Sequence, residues 1–268
     1  MKIGPFFNRR NRSQPPPAAK PAEERRPVSF TFTGELTQPV RLHYQLLDAA
    51  GAVESLKQLK CVGEISPGKS YKWYLADETK GAFKVNVALP KGESVSLGDI
   101  LLDPAGAMRL HILVRSIERA WFAIEFFDRH VSRKQMKVTG MDLYHTLFEG
   151  NPESQTKLAD LATLFPEERI TVKDVEALPN LIKKAKKAGA SQSEMLQMTL
   201  SFIESEEAKP LPEIEHLPLH FYKEGIHGIK SKLMLSQQVA WEHFNGNKGY
   251  TMGMAIEKIT GTKLPFRK

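Results

Sequence analysis

Apolar and polar positions alternate with a period of two along the first half of the chain and with a helical period along the second. In "FKVNVALP", Phe83, Val85 and Val87 share one face and Lys84 and Asn86 the other, the pattern of a half-buried strand. "VSFTFTGEL", "VRLHYQLLD" and "KSYKWYLAD" are similar runs, divided by turn signals at Gly34, Gly51, "SPGK" and "PKGE". The stretch "RLHILVRSIERAWFAIEFFD", residues 109–128, fits two periods. As a helix running on through "RAWFAIEFFDRHVSRK", residues 119–134, its second half gathers Glu118, Glu125 and Arg129, but Phe122 lands close to that charged face. As a hairpin turning at Glu118-Arg119 it aligns Leu110, Ile112 and Val114, then Phe122, Ile124 and Phe126. Aromatic and β-branched enrichment favours strands. The expectation is a strand pair burying Ile112, Val114, Phe122, Ile124 and Phe126.

Beyond about residue 150 the spacing becomes helical. "TKLADLATLF" places Leu158, Leu161 and Phe165 at near-helical intervals before Pro166. "VKDVEALPNLIKKAKKAG" predicts a helix with Pro179 near its start or at a kink, ending at Gly189. "SQSEMLQMTLSFIESEE" opens with Ser191 and Glu194, the spacing of a capping box. "KPLPEIEHLPLH", with three prolines, reads as a loop, and "SKLMLSQQVAWEHFNG" and "TMGMAIEKITG" as closing helices. The fold class is therefore α+β: an antiparallel, barrel-like β domain over 27–150 followed by a helical domain over 151–268. Residues 1–26, rich in proline and charge, read as a disordered tail.

Charge sharpens this division. The tail holds seven basic residues against Glu23 and Glu24, a net +5 of the chain's +7. Such a tail is a solvated leader or an attractor of phosphate and acidic surfaces. Cys61 is the sole cysteine, which excludes an intramolecular disulfide and a cysteine-based zinc site and favours a reducing, cytoplasmic setting. No apolar run approaches the length of a membrane span.

The β half resembles a PilZ domain, a β-barrel receptor for cyclic di-GMP. The likeness covers about residues 23–150 and rests on "EERR" (23–26) before the first strand, "VGEISPGKSYKW" (62–73), and the run 109–128 as a closing strand pair. It implies that Arg25 and Arg26 meet phosphate or guanine, with Ser66 and Lys69 on the opposing turn. Arginine suits this role by forked hydrogen bonds and planar stacking. The pattern is degenerate. Ser29 and Phe30 stand where a second arginine is expected, Glu64 replaces an aspartate or asparagine, and Gly68 comes one residue early.

Two further patterns carry chemistry. Ala185, Gly189 and Met195 have helix-turn-helix spacing. A DNA-associated reading would use Lys183, Lys184, Lys186 and Lys187 with Gln192 and Gln197, yet the second helix offers no lysine or arginine, and an ordinary helical hairpin fits better. His216, His220 and His227 in "HLPLHFYKEGIH" suggest a metal set. Pro218 interrupts their spacing, and solvated or core histidines are the preferred reading, so neither metal nor cofactor is expected. No phosphate-binding glycine loop or nucleophile elbow occurs. The sequence thus points to a non-catalytic regulatory or adaptor protein with a protein partner. Cyclic di-GMP is a conditional ligand, and nucleic acid the alternative partner.

Overall fold

The computed structural model describes residues 27–79, 81–83, 94–103, 108–174, 176–207, 209–219, 226–261 and 263. Their strands are β1 Val40–Leu46, β2 Val62–Ser66, β3 Ser70–Tyr74, β4 Ser96–Leu102, β5 Arg109–Val114, β6 Met136–Tyr144, β7 Ile170–Val172 and β8 Ile214–Pro218. The helices are α1 Ala49–Lys57, α2 Ile117–His130, α3 Pro152–Ala159, α4 Ala177–Lys187, α5 Gln192–Glu207, α6 Ile226–Phe244 and α7 Met252–Thr260. The strands form one sheet in the order β2-β3-β4-β5-β1-β6-β8-β7. It is an open sheet rather than the expected barrel, because β2 and β7 end the order without pairing to each other. Every pairing is antiparallel except β7 with β8. Part of the sequence expectation, "FKVNVALP", lies mostly outside the described residues, as does the tail.

The central strand shows why the sheet has two distinct faces. Val40, Leu42, Tyr44 and Leu46 are buried on the inner face, while Arg41, His43 and Gln45 point outward. The inner side chains pack with α1, α2 and residues of α6 in the main core. Asp48 caps α1 by accepting from Gly51 N at 2.9 Å. Gly51, expected in a turn, lies in that first helical turn. A Cβ there would sit 2.2 Å from the capping carboxylate. On the outer face, α3 and the 3-10 turn Leu161–Leu164 build a smaller core with Leu113, Phe148, Phe165 and Ile214.

The expected strand pair over 109–128 is half right. Residues Arg109–Val114 are β5, burying Ile112 and Val114, but Ile117–His130 is a helix. Ser116 caps it, accepting from Arg119 N at 3.1 Å, and Glu118 favourably occupies the first turn. A two-residue hairpin wants glycine or asparagine, which Glu118-Arg119 lacks. Ala120, Ala123, Ile124 and Phe127 recur at i, i+3, i+4 and i+7 and are buried. Phe122, which argued against the helix, is only half-buried and stacks on Trp73 at 5.8 Å between ring centroids. The charged face thus begins where the aromatic cluster ends. Arg119, read as a turn, is 1% exposed, donating Nη1 to Ser96 O at 3.0 Å and Nη2 to Thr33 Oγ1 at 2.7 Å.

"EIEHLPLH" was expected to be a loop, but Ile214–Pro218 is β8. Its proline occupies the last strand position, where a missing N–H costs little. The α4–α5 pair forms the expected helical hairpin, with Ala185 buried and Gly189 at φ +83°. The capping box is also present: Glu194 N donates to Ser191 Oγ at 3.3 Å, and Ser191 N to Glu194 Oε2 at 2.7 Å.

If α2 anchors the core as described, Phe127→Ala should cost about 3–5 kcal/mol, the range for emptying a buried aromatic site. Chemical denaturation reads this directly, and a cost below about 1 kcal/mol would contradict the helix packing.

Candidate metal centre

The outward positions of four neighbouring strands bring titratable groups together. His43 of β1 lies opposite His111 of β5 and Gly140 of β6, and in the next row Arg41 lies opposite Asp142, which lies opposite His216 of β8. This phase depends on a bulge in β6: His43 pairs with Gly140, but Tyr44 pairs with Val138. The extra residue, Thr139, lets Met136 and Val138 point into the core while Gly140 and Asp142 point out. Gly140 also makes room for the His216 ring. A Cβ there would lie 2.7 Å from His216 Cε1 and 2.9 Å from its Nε2.

Asp142 is the hub. Its side chain is 1% exposed, whereas those of His43 and His216 are 21% and 27% exposed. Oδ2 accepts from Arg41 Nε at 2.7 Å and His43 Nε2 at 2.6 Å, and Oδ1 accepts from His216 Nδ1 at 2.7 Å. Burial alone would raise this carboxyl. The hydrogen bonds from His216 and His43 and the nearby Arg41 charge outweigh it and hold the group well below the usual carboxylate range. Arg41 is itself fixed, donating to Phe165 O at 3.1 Å with its guanidinium 5.4 Å from the Phe165 ring centre.

His111 completes the row. Its ring meets His43 edge-on, with centroids 4.9 Å apart, and its Nδ1 is buried without a hydrogen-bond partner. Burial, with the His43 and Arg41 charges, pushes its pKa down to about 4. A neutral imidazole with an unpartnered ring nitrogen therefore borders the cluster.

One nitrogen each from His43 and His216 and one oxygen from Asp142 lie within 4.8 Å of one another. Bonds of about 2.0–2.2 Å from zinc to nitrogen and oxygen need ligands roughly 3–4 Å apart, within reach of small side-chain rotations. Two imidazoles and a carboxylate suit zinc, iron, nickel or copper better than magnesium or calcium.

The opposite face of β8 carries a separate polar cluster. Glu215, 1% exposed, accepts from His145 Nε2 at 2.9 Å, Lys173 Nζ at 3.1 Å and Lys232 Nζ at 3.2 Å. Burial opposes its ionisation, but the His145 hydrogen bond and the two lysines prevail and lower its pKa to about 2. Cys61 is buried, and burial with the Glu78 carboxylate pushes its thiol up to about 12, far from a reactive thiolate.

The residues singled out by sequence fall elsewhere. Ser66 ends β2 half-buried and Lys69 is exposed on the following turn, joined by Lys69 N donating to Ser66 O at 2.9 Å. Glu64 takes the turn's Gly68 N–H at 2.8 Å, so a carboxylate holds a donor that an anion would use. Arg25 and Arg26 lie outside the described residues. Lys183, Lys184, Lys186 and Lys187 are exposed near the end of α4, with Gln192 and Gln197 exposed on α5. Of the suggested histidine trio only His216 has a described side chain, and its partners are His43 and Asp142 on other strands. The legible signal was parity: "RLH" occurs at 41–43 and at 109–111, placing both histidines on the outward face of an alternating strand.

No family model, curated protein or solved structure matches the chain. Among the described residues no helix is long and apolar enough to cross a membrane.

Glu215 sets an acid limit on stability. Its folded pKa is depressed, so its contribution is full above the ordinary value of 4.5 and is lost as pH falls toward about 2. Asp142, also depressed, acts in the same direction. The unfolding free energy of the wild type should therefore drop across this window, and Glu215→Gln should flatten the drop. At pH 7 that substitution should cost about 3–5 kcal/mol, as for breaking a buried ion pair. An unchanged pH slope in the variant would refute the assignment.

Proposed function

We propose that the protein binds a divalent transition-metal ion on the outer face of its sheet, through His43 Nε2, His216 Nδ1 and a carboxylate oxygen of Asp142. The observation that carries this reading is the convergence of these three donors from three strands onto one partly exposed point. The ion takes the ring nitrogens that the two imidazoles turn toward the carboxylate, with each ring's N–H moving to its other nitrogen, and binding weakens as pH falls because protonated imidazole cannot ligate. Arg41 orients Asp142 from the side, the role that outer partners play around metal ligands. Solvent reaches the histidines, which leaves a coordination position for water or for a partner's side chain. In this reading the chain is a regulatory or adaptor module, as its sequence suggests, with the ion as the regulated element. A nucleotide role at the Ser66–Lys69 turn is less well supported, because Glu64 occupies that turn.

Calorimetry with zinc chloride on the chelator-stripped protein tests the proposal. One ion should bind per chain, and His216→Gln, a change at a partly exposed side chain, should remove most of the affinity. Gly140→Ala should lower affinity by about 10–100-fold, the usual cost of disturbing a group that positions a ligand, because the new methyl displaces the His216 ring. Zinc binding that survives the combined His43→Gln and His216→Gln changes would overturn the site.

A further inference from the structure

We infer that the α4–α5 hairpin is a self-association surface, which takes the same hairpin of a second copy in an antiparallel, two-fold arrangement. Helix α5 is apolar on two sides. Met195, Met198 and Phe202 are half-buried, and Met198 and Phe202 share a groove with Leu181 of α4. On the far side Leu196, Leu200 and Ile203 follow one another at intervals of four and three residues, the seam spacing of packed helices. Leu196 is 60% exposed and Ile203 36% exposed. A solvated helix face has no need of such a stripe.

Charge selects the occupant and its direction. Lys183, Lys184, Lys186 and Lys187 crowd the end of α4, beside the Gly189 turn and the start of α5. At the other end of the hairpin stand Asp174 and Glu176 before α4, and Glu204 and Glu206 in the closing turns of α5, where Glu206 also meets Lys209. The hairpin is therefore basic at its turn and acidic at its open end. A second copy laid parallel would stack like charges. Laid antiparallel, it sets each lysine-rich turn on the other's glutamates and keeps the two apolar stripes in register, an isologous contact. Duplex nucleic acid fits this surface poorly, since α5 contributes Glu194, Glu204 and Glu206 and no basic residue.

The test is sedimentation velocity on the full chain in chelator, so that the metal site plays no part. The wild type should be a dimer at micromolar concentration. Leu196→Glu with Ile203→Glu, both at exposed positions, should yield a monomer with an unchanged far-ultraviolet spectrum. Reversing the four lysines to glutamate should weaken the dimer about tenfold or more, as should Glu204→Lys with Glu206→Lys. Mixing those two charge variants should restore association as a heterodimer. The inference fails if the wild type is monomeric at roughly 100 μM, a concentration that would populate even a weak dimer. It also fails if the dimer tolerates the Leu196 and Ile203 changes, or if the mixed charge variants do not associate. A monomer that shifts duplex DNA would assign the surface to nucleic acid instead.

Discussion

A carboxylate withdrawn from water must be surrounded by donors, and the Asp142 side chain, 1% exposed, imposes that condition on three strands at once. Left unpaired, a buried charge costs several kcal/mol. Arg41 and His43 of β1 and His216 of β8 meet the requirement on either side of β6. The pairing of β8 with β6 is therefore an electrostatic arrangement as well as a ladder of backbone hydrogen bonds. It joins a segment more than seventy residues downstream to the centre of the sheet. The same convergence that neutralises the carboxylate gathers two imidazoles and an oxygen within 4.8 Å of one another.

Strand alternation gives β8 a second function. Glu215 and His216 are consecutive, so one side chain enters the polar cluster with His145, Lys173 and Lys232 while the other crosses to Asp142. Two buried carboxylates thus fix one short strand from both faces. The bulge at Thr139 serves the same end from β6, because it changes the phase of the strand between an inward Val138 and an outward Gly140. A one-residue slip would exchange the two faces and bury the polar row.

The sheet and the α4–α5 hairpin contribute differently to this design. The sheet supplies rigid, register-defined positions suited to a precise ligand set. The α4–α5 hairpin, closed by a capping box and a glycine turn, is specified mainly by local interactions and displays its charges at opposite ends. The candidate centre and the charged hairpin surface therefore rest on different elements of the fold.

Local patterns were readable without coordinates wherever neighbours in sequence settle them. The alternation in β1, the helical hairpin with Ala185 buried, the Ser191–Glu194 cap and the α+β composition all rest on such contacts. The stretch 117–130 misled because its broad aromatic face satisfies two periods. The cap at Ser116, the alanines that let α2 lie close to the sheet and the stacking of Phe122 on distant Trp73 together select the helix. The β8 strand was hidden by Pro210, Pro212 and Pro218 in and before it, since its extended form depends on pairing with β6. His216 drew notice beside His220 and His227, but its partners are Asp142 and His43, 74 and 173 residues earlier in the chain. Sequence determined which face of β1 holds His43, through the period of two along that strand. Only the tertiary structure decided that the three faces meet, because strand order and the Thr139 bulge depend on contacts between segments remote in sequence.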